Sequence, residues 1–132
     1  LDEAQKKGFA EYCGFQNCVK DFIKDADCVV LPSYHEGMSN TLLESASMGR
    51  PLITSDIPGC REALEDGQNG FLCKAKSGES LYDAMKRFML LSGEERQRMG
   101  IASRRLMEKS FDRKSVVNTT LNVVLSEEEA LK

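Results

Sequence analysis

The sequence predicts an α/β fold, a parallel sheet with helices on both faces. Short apolar runs alternate with segments of helical periodicity along the whole chain. Two of these runs, Cys28 to Leu31 and Pro51 to Thr54, are continuous rather than alternating, the pattern of strands buried on both sides. Glycine and proline stand at most of the boundaries between them. With 132 residues, one domain is expected.

Each element has its local reason. Phe9 to Cys13 reads as a short strand closed by Gly14, and Asn17 to Lys24 as a helix with Val19, Phe22 and Ile23 at helical spacing. Cys28 to Leu31 is a strand that Pro32 ends. Ser39 is placed to cap a helix from Asn40 to Met48, which Gly49 stops. Pro51 to Thr54 returns as a strand, Asp56 to Gly59 turns, and Arg61 to Glu65 forms a brief helix before Gly67 and Gly70. Asp66-Gly67 and Asn69-Gly70 are turn pairs. Phe71 to Cys73 is the last strand. Gly78 precedes a helix to about Leu91, with Leu81, Ala84, Met85, Phe88 and Met89 on one side. A second helix covers Gly93 to Lys109, and a third runs from Asp112 into a frayed tail. This is a Rossmann-like layout without a G-x-G-x-x-G fingerprint, so a dinucleotide cofactor is not indicated.

Composition excludes several classes. A net charge of −3 with both signs scattered offers no dense basic face, so nucleic acid is not an expected partner. No apolar run has the length of a membrane span, and the first residues lack a signal-peptide core, which reads as a cytoplasmic protein. The five cysteines show no metal-ligand spacing, and the expectation is buried, reduced, inert thiols and no metal site.

The densest chemistry lies in LPSYHEGMSNTLLESASMGRP, Leu31 to Pro51. Ligands of open α/β sheets sit beyond the carboxyl ends of the strands, where Ser33 to Met38 would lie. The following helix presents backbone N–H groups near Ser39, Asn40 and Thr41 at its positive dipole end, a site for phosphate. Gly37 lets a ligand approach the backbone. Glu44 shares a helix face with Asn40 and Thr41 and could accept two hydrogen bonds from a vicinal diol, while Glu36 faces what lies beyond the phosphate. The competing reading makes Glu44 an acid that only favours the helix dipole, or the partner of Thr41 in a capping box, and Glu36 a solvated loop acid.

The ordered set PS, EGMSNTLLE with seven residues between its glutamates, GRP, PG-x-x-E and DGQNGFL resembles the donor-binding core of glycosyltransferase family 4, retaining enzymes of the GT-B fold. The likeness covers about Ala26 to Cys73 and weakens towards Phe111. It implies an incomplete C-terminal half of a GT-B enzyme: residues 1–111 part of the donor nucleotide-sugar domain, residues 112–132 a C-terminal helix. It also implies roles. Glu44 would hold the donor ribose, the backbone at Ser39, Asn40 and Thr41 would face the diphosphate, and Glu36 would be the catalytic contact to the transferred sugar, with Gly37 and Met38 beside it. The donor would be a nucleotide sugar, uridine-linked on family frequency, although guanosine and adenosine donors occur among relatives. The acceptor would be a glycan or lipid-linked sugar, no cofactor or metal would be needed, and a peripheral membrane contact is admitted. Sugar, base, acceptor and oligomeric state are not readable.

Family members carry an N-terminal acceptor domain, and an arginine and lysine pair against the diphosphate, before the region matched here. The chain is therefore expected to be inactive alone. A non-catalytic nucleotide-sugar-binding or regulatory module on the same fold is the alternative. A receiver-type signalling domain is disfavoured because the strand ending at Leu31 continues into Pro-Ser rather than an acidic phosphoacceptor. His35 reads as a surface loop residue, Glu62 as a helix-end acid, and the charges of Arg96, Arg98, Arg104, Arg105 and Lys109 as a solvated mixed face.

Overall fold

A computed structural model describes residues 2–35, 37, 39–110 and 125–126. Its elements in chain order are α1 (Asp2–Lys6), α2 (Lys20–Asp25), β1 (Val29–Leu31), α3 (Asn40–Ser47), β2 (Leu52–Ser55), α4 (Pro58–Arg61), β3 (Gly70–Cys73), α5 (Gly78–Met89) and α6 (Gly93–Ser110). The strands form a parallel sheet in the order β1-β2-β3, with Val29 opposite Leu52 and Leu52 opposite Gly70. The predicted helix from Asp112 lies outside the described residues.

β2 is buried along its whole length because it has a strand on each side and helices on each face. Its side chains alternate between two cores, as the period of a strand requires. Leu52 packs with Leu42 and Ala46 of α3, Cys60 of α4, Ala63, Leu64 and Met107 of α6. Ile53 packs with Phe71 and Cys73 of β3, Ala84 and Phe88 of α5, and Met99 of α6. The connections through α3 and α4 thus share one face, as successive parallel strands with crossovers of one hand require. α5 returns on the other face.

α6 supplies both cores by running beneath the amino ends of the strands. There Gly100 meets Gly49, so closely that a Cβ at Gly100 would stand 2.5 Å from the Gly49 carbonyl oxygen. One turn further, the Ser103 hydroxyl meets Asn69, which is 1% exposed just before β3. The Asn69 Oδ1 accepts from the Glu65 amide at 2.7 Å, and its Nδ2 donates to the Ala63 carbonyl at 3.0 Å and to Ser103 Oγ at 3.2 Å. An apolar replacement of equal size leaves those buried backbone groups unpaired. Asn69→Leu is expected to cost about 2–4 kcal/mol in urea denaturation, whereas a mere turn residue would cost well under 1 kcal/mol.

Several expectations need correction. Phe9 to Cys13 is not a strand: among the described residues it has no neighbouring strand to complete a ladder, and Phe9 and Tyr12 are exposed. A short helix, α1, stands before it instead, closed by the Gln5 side chain accepting from the Tyr12 amide. The second helix begins at Lys20 rather than Asn17, and of its apolar residues only Ile23 is buried. β1 is not covered on both sides, because among the described residues it is an edge strand and Val30 is 36% exposed. The turn at Asp56 and the helix at Arg61 to Glu65 merge into α4, shifted three residues earlier because Pro58 suits a first helical turn. On α5 Ala84 and Phe88 are buried, but Met85 and Met89 are exposed.

Candidate functional site

With α6 across the amino ends, the carboxyl ends of the strands are the open side, and α3 begins there. Ser39 caps α3 as its composition suggests, its hydroxyl accepting from the Leu42 amide at 3.4 Å, and Gly49 stops the chain after it with a φ of 74°. The Ser39 amide donates to the Gly59 carbonyl at 3.4 Å. The donors of this first turn without an intrahelical acceptor are therefore the amides of Asn40 and Thr41.

A Ser39 cap rules out the capping box for Glu44. In a box closed by Thr41, Thr41 itself would be the cap; here it is inside the helix, and its carbonyl accepts from the Ser45 hydroxyl at 2.6 Å. Asn40, Thr41 and Glu44 are all exposed, while Leu42, Ser45 and Ala46 turn into the core. The helix thus buries one face and offers the polar one. Glu44 lines a cavity of about 460 Å³ with Leu43, Ser47, Met48, Met107 and Lys20. Lys20, which sequence context does not place at the site, lies on α2, and only the packing of α2 beside α3 puts it in the same cavity.

The loop before α3 is less fully described. Gly37 is exposed, with nothing within 4 Å of the place a Cβ would take, so its backbone is open to approach. Glu36 and Met38 lie outside the described residues. His35 is exposed beside them, and Glu62 is exposed at the end of α4.

The cysteines divide. Cys60 and Cys73 are buried and Cys28 half-buried, and burial pushes the Cys28 thiol up to about 12, so it remains protonated. Cys13 and Cys18 are exposed, so the expectation of buried thiols holds for three of the five, and the segment that carries these two is exposed along its length. On α6, Arg98 pairs with Glu94 and Arg104 with Glu108, a solvated mixed-charge face as expected. Arg96 differs, lying over the Phe88 ring at 5.0 Å and donating to the Met89 carbonyl. Among the described residues no helix is long and apolar enough to cross a membrane.

A parallel sheet crossed by α6 at its amino end, with a capped helix and an exposed acid at its open end, is an α/β arrangement open at the strands' carboxyl ends. The chain belongs to the family of glycosyl transferases group 1, whose profile matches residues 1–90. It is 30% identical over 100 residues to a Campylobacter jejuni N,N'-diacetylbacillosaminyl-diphospho-undecaprenol alpha-1,3-N-acetylgalactosaminyltransferase, covering 76% of this chain and 26% of that protein. It is 37% identical over 101 residues to a Mycobacterium tuberculosis glycogen synthase, covering 76% of this chain and 24% of that enzyme. Among solved structures, Anabaena HepE in complex with UDP shares the fold with a TM-score of 0.80 at 18% identity, over 96% of this chain and 35% of that one. The sucrose-phosphate synthase of Thermosynechococcus elongatus does so with a TM-score of 0.83 at 17% identity, over 98% and 33%. The fold is that of part of a GT-B glycosyltransferase. The chain spans about a quarter of the length of these curated relatives.

Proposed function

We propose that this chain is the donor-binding part of a retaining, family 4 glycosyltransferase that moves a sugar from a nucleotide sugar, UDP-linked by preference, to a glycan or lipid-linked acceptor. The observation that carries the reading is the exposed face of α3, where Asn40 and Thr41 begin the helix and Glu44 follows one turn later beside an open cavity. HepE, a structural neighbour solved in complex with UDP, favours uridine among the bases.

The chemistry follows from the geometry. A diphosphate leaving group develops negative charge as the glycosidic bond breaks, and the Asn40 and Thr41 amides with the α3 dipole meet that charge without reorganising. The Glu44 carboxylate accepts two hydrogen bonds from the ribose diol and sets the nucleotide's register. Lys20, in the same cavity, contributes a cation that sequence alone does not assign to the site. Glu36 takes hydroxyls of the transferred sugar, with the backbone of Gly37 and Met38 beside it. In the front-side mechanism that the family implies, the departing diphosphate takes the acceptor's proton, so retention needs no protein nucleophile. The work is done within a longer protein, whose remaining part supplies the acceptor site and further cations.

The test is calorimetric titration of UDP, GDP and ADP into the complete protein. One nucleotide is expected to bind selectively, and Glu44→Ala to weaken it by about 1–3 kcal/mol, the worth of charged hydrogen bonds. Equal binding by Glu44→Ala, or no binding by any nucleotide, sinks the donor assignment.

A further inference from the structure

The open end of the sheet holds a second cleft, separate from the cavity beside Glu44. It has a volume of about 200 Å³, and every strand contributes to it: Tyr34 follows β1, Ser55 ends β2, Cys73 ends β3, and Lys74, Lys76 and Ser77 follow. Convergence of three strand ends is where open parallel sheets bind ligands.

Lys76 marks this cleft. Its φ of 61° makes it the one non-glycine residue with positive φ among those described. A side chain with a Cβ is strained there, and such strain persists where the surroundings hold it, often at ligand sites. Its ammonium stands 5.8 Å from the Tyr34 ring centroid, within cation–π reach, which ties the turn after β3 to the loop that carries Glu36. Lys74 lines the same cleft, and neither lysine takes part in the four ion pairs among the described residues. Asp56, just past β2, is held by Arg61 instead. Among the described residues that line the cleft none is acidic: Ser55 is 1% exposed, and burial raises the Cys73 thiol so that it stays neutral.

We propose that this cleft is an anion subsite, binding the phosphate or carboxylate of a sugar-class ligand through Lys74 and Lys76 with Tyr34 as its wall. Its volume is below the roughly 300–1,000 Å³ of pockets for drug-sized ligands, so it encloses one oxyanion while the carrier extends outward. The subsite stands independently of the nucleotide beside Glu44.

Titration of the complete protein with glucose 6-phosphate, inorganic phosphate and methyl glucoside tests it. Glucose 6-phosphate is expected to bind at least tenfold more tightly than methyl glucoside. The double variant Lys74→Gln, Lys76→Gln should lose at least tenfold of that affinity and keep UDP affinity within twofold. Lys76→Gly should hold or raise the melting temperature, because glycine takes that φ without strain, yet bind glucose 6-phosphate several-fold more weakly. Vesicles with and without phosphatidylglycerol separate the sources: lysine-dependent capture that glucose 6-phosphate does not displace points to a lipid headgroup as the oxyanion. The subsite is overturned if no anionic probe binds, if either variant binds as the parent does, or if UDP affinity falls in step and assigns the lysines to the donor diphosphate. Lysine-dependent binding of glucose 6-phosphate in a protein that binds no nucleotide would uphold the subsite while removing the donor reading.

Discussion

Gly70→Ala is expected to destabilise the fold by about 4 kcal/mol or more, enough to remove most of the native state of a small domain. Gly70 opens β3 directly opposite Leu52 at the start of the central strand. A Cβ there would stand 1.7 Å from the Leu52 carbonyl oxygen, 2.7 Å from its carbonyl carbon and 2.8 Å from its nitrogen. All three are backbone atoms of the most buried strand, so no side chain can rotate away to make room. β3 would have to leave β2, and with it would go the Phe71 and Cys73 contribution to the core under α5. Thermal and urea denaturation of parent and variant measure the loss. A variant melting within a degree or two of the parent would mean that β2 and β3 do not approach as described.

Glu36→Ala in the complete protein is expected to lower sugar transfer by roughly 10²–10³-fold, the scale of losing one charged contact that strengthens in the transition state. Glu36 falls in sequence between β1 and α3, and its proposed partner is the transferred sugar rather than the nucleotide. UDP affinity should therefore stay within about twofold of the parent while turnover collapses, the signature of an interaction made only as the reaction proceeds. Glu44→Ala should show the opposite split, weakening the nucleotide first. Parent-like turnover by Glu36→Ala would reduce Glu36 to a solvated loop acid. A parent protein that binds UDP but transfers nothing would favour the non-catalytic module.

The legible parts of the fold are those whose cause is local. α3 could be bounded from Ser39 and Gly49 because a cap and a stop act within a turn of themselves. β2 could be read from its run of uncharged residues, since burial on both faces leaves no solvent-facing position to alternate. The polar face of α3 follows equally from spacing: residues three and four apart share a side whatever the helix packs against.

Phe9 to Cys13 shows why the rest was hidden. Its composition suits a strand, but a strand exists only through a partner's hydrogen bonds, which composition does not supply. Val30 likewise belongs to an apolar run and is exposed because β1 has β2 on one side only among the described residues. Asn69 looked like turn chemistry, and only the passage of α6 beneath the sheet, which brings Ser103 to it across 34 residues, makes it a buried junction.

The division is therefore one of range. Alone, the sequence determined the α/β class, the capped helix that follows β1, the face that carries Asn40, Thr41 and Glu44, and the family likeness in which those residues recur. Only the tertiary structure decided which end of the sheet is closed, that Lys20 shares a cavity with Glu44, and that Lys76 meets Tyr34. Caps, stops and periodicity are properties of neighbours along the chain, whereas cavities and paired charges arise from segments whose separation no local pattern records.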